Sequence, residues 1–588
     1  MPSFTTRPEL RGDFGMVAST HWLASAVGMS VLERGGNAAD AAVATGFALQ
    51  VIEPHLNGPG GEVPILLWDP ADEQVRVIAG QGVTPAAATP ERFADLGLEL
   101  VPGTGPLAAT VPGAVGAWLL LLRQWGTWRL RDVLEPAIGY AENGWPLLPS
   151  IARTIATVEQ TFRADWPTSA ATWLPIPPAG SRMRSPVLAA TWRRLLAEAE
   201  AATQDRDGQI EAARTAFYEG FVAEAIDAHV RQPVRDSSGD VHVGLLTADD
   251  LAAWRCPVEA PTTLDYGDYT VCKTGPWGQG PVFLQQLALL SRFDLAEAGH
   301  LTPDYVHVVV EASKLAFADR EAWYGDAADV PMLALLSDGY NDERASLIGS
   351  AASLELRPGS PDGRAPALRA PLAGAGAGAA GTGEPTVSRD GVTRGDTCHL
   401  DVVDRNGLMI SATPSGGWLQ SSPTIESLGW CLGTRAQMTW LEPGLAATLR
   451  PRTRPRTTLS PSLALRNGRP YLAFGTPGGD QQDQWSLVFF LAHVHFGLDL
   501  QAAIDAPSFH STHFPSSFWP RTAEPGGLVI EDRVAMGVID ELRRRGHQVS
   551  VSDGWSLGRV SAAGVEPGTG FLRAAANPRG AQGYAVGR

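Results

Sequence analysis

An abrupt change of sequence pattern near residue 397 limits the possible folds of this chain more than any other feature. Residues 357–385, RPGSPDGRAPALRAPLAGAGAGAAGTGEP, have no hydrophobic periodicity and consist largely of Gly, Ala and Pro. A segment of this composition cannot bury enough apolar surface to become ordered. A strand that opens with Thr397, in TCHLDVVD, follows shortly afterwards. The pattern predicts a mobile tether over residues 357–396, joined directly to an ordered strand.

The two sides of this tether carry different patterns. Helix-period apolar residues fill 22–52, on both sides of a GGNAAD break where Asn37 can cap the second helix. Two adjacent strands, VPILLWD and VRVIAG, follow, and further helices are predicted at 113–143, 188–230, 279–292 and 302–322. After Thr397 short alternating segments predominate, with helices near 484–496 and 532–545. The predicted fold class is α+β.

Charge and composition limit the partners. The formal charge of −17 argues against nucleic acid, because phosphate binding needs clustered Lys and Arg. The strongest apolar runs, WLLLLRQW and WSLVFFLAHVHF, are far shorter than the roughly 20 residues of a membrane-spanning helix. No apolar stretch follows a basic one near the start, so a cytoplasmic location is expected. Four cysteines without paired CxxC spacing predict reduced thiols, and we expect neither a metal nor a cofactor.

Thr397 has the position of a nucleophile. A hydroxyl is a poor nucleophile at neutral pH, but a threonine at a chain N-terminus can use its own α-amine as the general base. An unperturbed α-amine has a pKa of about 7.7–8.0, which suits that task. A tether that ends in RGD just before Thr397 is what a self-cleaving precursor needs. A plain interdomain linker would have a similar composition.

A second glycine-rich segment could stabilise developing negative charge. FGTPGGDQQ, residues 474–482, follows a predicted strand and places Gly478 and Gly479 before a helix. Two successive amides without side chains can approach an oxyanion closely. Alone, the pair would be read as a turn. Together with Thr397 it predicts an oxyanion hole.

Several further motifs occur in order along the chain: residues 19–62, TVPGAVGAW, GDTCHLDVVDRNG, RTTLSPSLAL, GTPGGDQQ and AANPRG. Together they resemble the γ-glutamyltranspeptidase family of N-terminal-nucleophile (Ntn) hydrolases. The resemblance implies a four-layer αββα sandwich and self-cleavage between Asp396 and Thr397. It implies a large chain of residues 1–396, of which residues 357–396 form a flexible tail, and a small catalytic chain of residues 397–588. The same resemblance implies that the two chains remain associated. It also implies Thr397 as nucleophile, Gly478 and Gly479 as oxyanion hole, and Thr413 and Ser415 as supporting hydroxyls.

The chain departs from the family where a glutamyl group would bind. Gln81 stands where transpeptidases place an Arg for the α-carboxylate, and Gly417 stands where they place an Asn for the α-amine. The segment GTRAQM offers Arg435 in place of an acid. The family's Ser pair is replaced by Thr457 and Thr458, preceded by Arg456.

These departures predict a different substrate. Arg435 and Arg456 could bind an anion, although either could instead be a surface charge or the partner of a structural acid. The expected substrate is a small acyl compound that carries a carboxylate but no standard amino acid head. His399, on the nucleophile strand, is expected to face away from the site as part of the core.

Three hypotheses for function remain open. The leading one is an autoprocessed hydrolase or acyltransferase that cleaves an amide or related acyl compound through an acyl-Thr397 intermediate and is not a standard glutathione transpeptidase. An oxamate-type amidohydrolase or a carbon–carbon bond hydrolase of secondary metabolism is the second. A binding protein that keeps the fold but is never cut is the third.

Overall fold

The computed structural model describes residues 4–327, 329–369 and 397–588, without the side chain of residue 581. Asp396, and with it the predicted cleavage site, lies outside the described residues, as does the tether from residue 370 onward. Among the residues described, no helix combines the length and the apolar character that crossing a bilayer requires.

Most strands belong to two seven-stranded antiparallel sheets. The first has the order β1-β20-β19-β15-β14-β11-β10 and the second the order β21-β2-β12-β13-β3-β4-β9. The strands are β1 Leu10–Gly12, β2 Gly15–Ser19, β3 Val63–Asp69, β4 Gln74–Gly80, β5 Trp145–Pro146, β6 Arg182–Met183, β7 Val234–Arg235, β8 Val241–His242, β9 Val258–Glu259, β10 Thr262–Tyr266, β11 Tyr269–Lys273, β12 Leu400–Asp404, β13 Met409–Ala412, β14 Ser462–Arg466, β15 Arg469–Gly475, β16 Phe509–Ser511, β17 Gly527–Glu531, β18 Gln548–Ser552, β19 Ser561–Val565, β20 Leu572–Ala576 and β21 Tyr584–Gly587.

The helices lie mostly before residue 346. They are α1 Trp22–Glu33, α2 Ala38–Ile52, α3 Pro90–Asp95, α4 Ala114–Trp125, α5 Leu130–Asn143, α6 Pro149–Ala164, α7 Pro167–Trp173, α8 Pro186–Ala202, α9 Arg206–Tyr218, α10 Phe221–Val230, α11 Ala248–Ala253, α12 Pro281–Leu290, α13 Leu295–Ala298, α14 Pro303–Trp323, α15 Met332–Leu335, α16 Asp338–Ala345, α17 Gln482–Phe496, α18 Leu500–Asp505 and α19 Met536–Arg544. Asn37 caps α2 in a capping box with Asp40, as its position after the double glycine predicted.

Three apolar cores lie against the two large sheets. One joins helices including α1, α2 and α4 to the second sheet, and another joins α12, α14 and α17 to the first sheet. The third is formed by side chains of both sheets, among them Met16, Leu66, Leu463 and Ala563. The predicted α+β class is confirmed. The order of these cores supports the αββα architecture that the resemblance implies, and we retain that architecture as a proposal.

The start of the predicted tether is held in place by hydrogen bonds. The Gly359 amide donates to Oδ1 of Asp319 at 2.6 Å, and its carbonyl accepts from the Trp323 indole at 3.2 Å. Arg357 contacts Glu311, and Arg364 donates to the Asp329 carbonyl. The first residues of the predicted tether thus make specific polar contacts that composition alone does not reveal, and the mobility of the segment stays a prediction.

Candidate active site

Thr397 begins the strand pair that carries most of the predicted site residues. It is buried and forms an antiparallel bridge with Ser415, and its Oγ1 donates to Oγ of Ser415 at 3.2 Å. The register of β12 and β13, with Asp401 opposite Ser411, continues the same alternation. Side chains two residues apart in a strand point to one side. Thr397 and Ser415 therefore share a face with the next polar pair along these strands.

That next pair is His399 and Thr413. The His399 Nδ1 and the Thr413 Oγ1 are hydrogen-bonded at 2.8 Å, and the His399 Nε2 lies 3.0 Å from Oδ1 of Asp401. The expectation that His399 would face away was wrong. Period-two alternation places it on the Thr397 face, where its ring orients the Thr413 hydroxyl. Asp401 also accepts from Ser561 of the first sheet at 2.9 Å.

Arg435 lies directly behind Ser415. Its Nη2 donates to Oγ of Ser415 at 3.0 Å, and its guanidinium pairs with the buried carboxylate of Glu62. Glu62 and Ser415 also exchange backbone hydrogen bonds of 2.8 and 2.9 Å. A buried ion pair needs such additional hydrogen bonds to offset its desolvation. The structure thus links Thr397, Ser415, Arg435 and Glu62 in one polar network.

Gly417 lies beside this network on a tightly packed turn. Gly416 and Gly417 have φ values of +76° and +68°, a region that favours glycine. A Cβ at Gly417 would lie 3.0 Å from both the Cys431 carbonyl oxygen and the Gly61 amide nitrogen. A larger side chain here would require the Cys431 carbonyl or the Gly61 amide to move by a few tenths of an ångström.

The loop after β15 fixes Gly478 and Gly479. The Gln482 side chain donates to the Gly478 carbonyl, and the Gln279 side chain donates to the Gly479 carbonyl at 3.4 Å. Both glycines are buried, and neither amide N–H donates a hydrogen bond to another described residue. With their carbonyls held and their N–H groups available, these amides have the properties of an oxyanion hole.

Two contacts tie this loop to the nucleophile strand. The ring of His399 lies so close to Gly475, the last residue of β15, that a Cβ there would be 2.4 Å from its Cε1. The Ser411 hydroxyl donates to the Phe474 carbonyl at 3.3 Å. The glycine pair therefore follows directly from a strand end that packs on the face carrying Thr397.

Arg456 and the two threonines lie on the segment before β14. Arg456 is buried, donates to Glu321 at 2.6 Å and contacts the Arg320 carbonyl at 3.1 Å. Burial alone would raise the pKa of Glu321, but Arg456 and Arg320 outweigh it and lower that pKa to about 2. Arg456 is thus the partner of a structural acid.

Thr457 and Thr458 differ in how their hydroxyls are used. The Thr457 Oγ1 accepts from the Leu459 amide at 3.3 Å, within a local turn. The Thr458 Oγ1 is buried and has no hydrogen-bond partner among the described residues. Gln81 donates to its neighbour Gly82 at 3.1 Å, and its side-chain oxygen likewise lacks a partner in the described part of the chain.

These geometric findings agree with the comparison with known proteins. A model of the γ-glutamyltranspeptidase family matches residues 24–587. The chain belongs to this family. It is an Ntn hydrolase or acyltransferase, as the members of the family are.

Three relatives show how this γ-glutamyltranspeptidase-family chain compares with others. The glutathione hydrolase-like YwrD proenzyme of Bacillus subtilis is 32% identical over 97% of this chain and 98% of its own length. The oxamate amidohydrolase proenzyme of Klebsiella pneumoniae is 31% identical over the same shares. The solved structure of LmbA2991HD is 57% identical, covers 100% of both chains and superposes with a TM-score of 0.94.

One group of side chains outside this site has the donor types of a metal ligand set. Ligand atoms of His307, Glu311 and His547 all lie within 4.8 Å of one another and are buried. The two imidazoles, however, are hydrogen-bonded to each other at 2.9 Å, and Lys314 pairs with Glu311 at 2.6 Å. These contacts occupy one nitrogen of each imidazole and the Glu311 carboxylate, so the group gives no reason to propose a metal for this family member.

Sequence reasoning missed several residues that support the site. Glu62 ends a motif that was recognised but was not singled out, and its pairing with Arg435 depends on long-range packing. Gln279 and Gln482 hold the glycine loop through side-chain amides. The Gln482 oxygen in turn accepts from the Ser460 amide at 3.0 Å. The GDQQ motif was the only available signal for Gln482.

Proposed function

We propose that this protein is an autoprocessed amide hydrolase whose nucleophile is Thr397, exposed as the N-terminus of the small chain by cleavage after Asp396. The observation that carries the proposal is the hydrogen bond of the Thr397 hydroxyl to Ser415 at the point where the strand pair opens. The available N–H groups of Gly478 and Gly479 support it.

The proposed chemistry uses one hydroxyl twice. In maturation, the Thr397 Oγ1 attacks the Asp396 carbonyl carbon, and the peptide C–N bond breaks as the nitrogen takes the hydroxyl proton and becomes the free α-amine. Water then hydrolyses the resulting ester, which releases the Asp396 carboxylate and restores the Thr397 hydroxyl. In turnover, that amine takes the Thr397 proton while Oγ1 attacks the substrate carbonyl. The Gly478 and Gly479 amides stabilise the oxyanion, the leaving amine receives a proton, and water releases the acid.

The proposed substrate is an acyl compound with a carboxylate and no free α-amine. Gly417 cannot hydrogen-bond an ammonium with a side chain, and Gln81 supplies no charge for an α-carboxylate. Glu62 is the carboxylate beside Ser415, and Arg435 already pairs with it. An ammonium in this pocket would therefore be desolvated without compensation.

The test of the function begins with the chain composition of the purified protein. We expect two bands on a denaturing gel. N-terminal sequencing should show that the small chain begins at Thr397, so that it holds 588 − 396 = 192 residues. Thr397→Ala should remain one chain and show no turnover, because both steps need the hydroxyl. A cut, active Thr397→Ala variant would refute Thr397 as nucleophile.

The test of the substrate uses three anilides with the same leaving group. We expect glutaryl-p-nitroanilide to have a kcat/KM at least a hundredfold above that of γ-glutamyl-p-nitroanilide, because 1.4 kcal/mol is already tenfold and an unpaired buried charge costs more. Butanoyl-p-nitroanilide serves as the neutral reference. Preference for the γ-glutamyl compound would return the protein to glutathione-type chemistry.

A further inference from the structure

Next to the glycine loop lies a buried group of five charged side chains. Arg320 pairs with Glu321 and with Asp480, and Arg456 pairs with Glu321. Arg521 is equally buried. The group contains three guanidiniums and two carboxylates, so it carries one positive charge in excess.

That excess charge belongs to Arg521. Its Nη1 donates to the Thr439 carbonyl at 3.0 Å, and its Cζ lies 3.5 Å from the centre of the Trp440 ring. Its Nε and Nη2 are buried and have no hydrogen-bond partner in the described part of the chain. Buried guanidinium groups are normally satisfied by a carboxylate or phosphate, often through two parallel bonds.

The loop that carries Arg521 also shapes the active site. Phe518, three residues earlier, lies so close to Gly479 that a Cβ there would be 2.6 Å from its ring. The Phe518 ring is also 5.9 Å from the Arg435 guanidinium, which bonds Ser415. Ser517 donates to Asp480, directly after the glycine pair. Phe518 therefore lies next to both the glycine loop and Arg435, three residues before Arg521.

We propose that Arg521 is the specificity residue that binds the anionic end of the acyl substrate. This inference rests on the proposed function. Burial, together with the neighbouring Arg456 and Arg320, lowers the pKa of Arg521 to about 9 against the opposing effect of Glu321, so the side chain is still charged at neutral pH. A bound carboxylate would neutralise the excess charge of the group.

The substitution Arg521→Met tests the role by a ratio of rates. For each preparation, kcat/KM is measured with glutaryl-p-nitroanilide and with butanoyl-p-nitroanilide, and succinyl and adipoyl anilides cover shorter and longer acyl groups. We expect the preference for the best anionic substrate to fall at least tenfold in Arg521→Met, while the rate with the butanoyl compound changes less than threefold. The ratio is independent of the fraction of active enzyme.

Two further variants complete the test. Arg521→Lys keeps the charge but not the paired donors and should retain an intermediate preference. Arg450→Met removes an exposed arginine of a neighbouring segment and should leave the ratio unchanged. An unchanged ratio in Arg521→Met, with normal cleavage into two chains, would overturn the role of Arg521 and leave the proposed function intact. Absence of turnover with every anilide in the wild type would instead refute the proposed function.

Discussion

The buried pair of Arg435 and Glu62 lies two hydrogen bonds from the Thr397 hydroxyl. Its position behind Ser415 indicates that Arg435 orients the hydroxyl network, whereas its sequence position suggested contact with an anionic substrate. Both roles of Arg435, orienting the hydroxyl network and binding an anionic substrate, stay predictions until stability and substrate preference are measured. They differ in what the loss of the guanidinium does to stability and to substrate preference.

Arg435→Met should destabilise the protein and slow all substrates alike. Removing one partner of a buried ion pair leaves the other uncompensated, which costs about 3–5 kcal/mol of unfolding free energy. The loss is measured by denaturant unfolding, and Arg435→Met combined with Glu62→Gln should recover part of it. The ratio of glutaryl to butanoyl turnover should stay constant. A selective loss of glutaryl turnover would assign Arg435 to the substrate after all.

At the scale of elements, β16 and α17 bury a histidine between them. His510 lies on β16 with its ring 5.3 Å from that of Trp485, and neither ring nitrogen has a hydrogen-bond partner among the described residues. Burial lowers the pKa of His510 from 6.5 to about 3. The folded state therefore holds a neutral imidazole at pH values where the unfolded chain is protonated.

This packing predicts that the free energy of unfolding depends on pH. The substitution His510→Phe should reduce that dependence. Because the unfolded state binds the extra proton between pH 6.5 and about 3, the unfolding free energy falls as pH falls through this range. Between pH 7 and pH 5, His510 should account for about 2 kcal/mol of that fall. The comparison uses denaturant unfolding of wild type and variant at both pH values. Equal losses in both proteins would show that His510 is protonated in the fold.

The sequence predicted the positions of helices and strands far better than it predicted which side chains contact one another in the site. VPILLWD is β3 as written, and the two helices around GGNAAD are α1 and α2, because local periodicity and capping suffice to define them. The roles of Glu62 and Arg521 depend on partners such as Arg435 and Trp440 that only packing brings near. His399 was misjudged although strand alternation alone already placed it with Thr397.

At the scale of the whole molecule, strands from both sides of Thr397 alternate within each large sheet. In the second sheet β12 and β13 lie between β2 and β3, and β21 pairs with β2 at the edge. In the first sheet β14 pairs with β11, and β20 pairs with β1. Cleavage at Thr397 would therefore break one peptide bond without dividing either sheet.

This interleaving predicts that the two chains form one folding unit. After maturation they should elute together in size-exclusion chromatography and unfold in one transition. Residues 397–588 produced alone should not fold, because β12 and β13 would lack their neighbours β2 and β3 and leave apolar faces exposed. Circular dichroism of that fragment checks the point. A folded, monomeric fragment would contradict it.

The Phe14 amide donates a hydrogen bond of 2.7 Å to the Arg588 carbonyl, and this contact makes a circular permutation of the chain feasible. Because residue 588 lies against residues 12–15, a linker of about ten residues could join residue 588 to residue 4. The permuted chain would then begin at Thr397 and end at residue 369. Once the initiating methionine is removed, such a circular permutant would have the nucleophilic amine from the start. We expect it to hydrolyse the glutaryl anilide as a single chain, shown intact by mass spectrometry. A folded but inactive permutant would mean that the cut supplies more than a free amine.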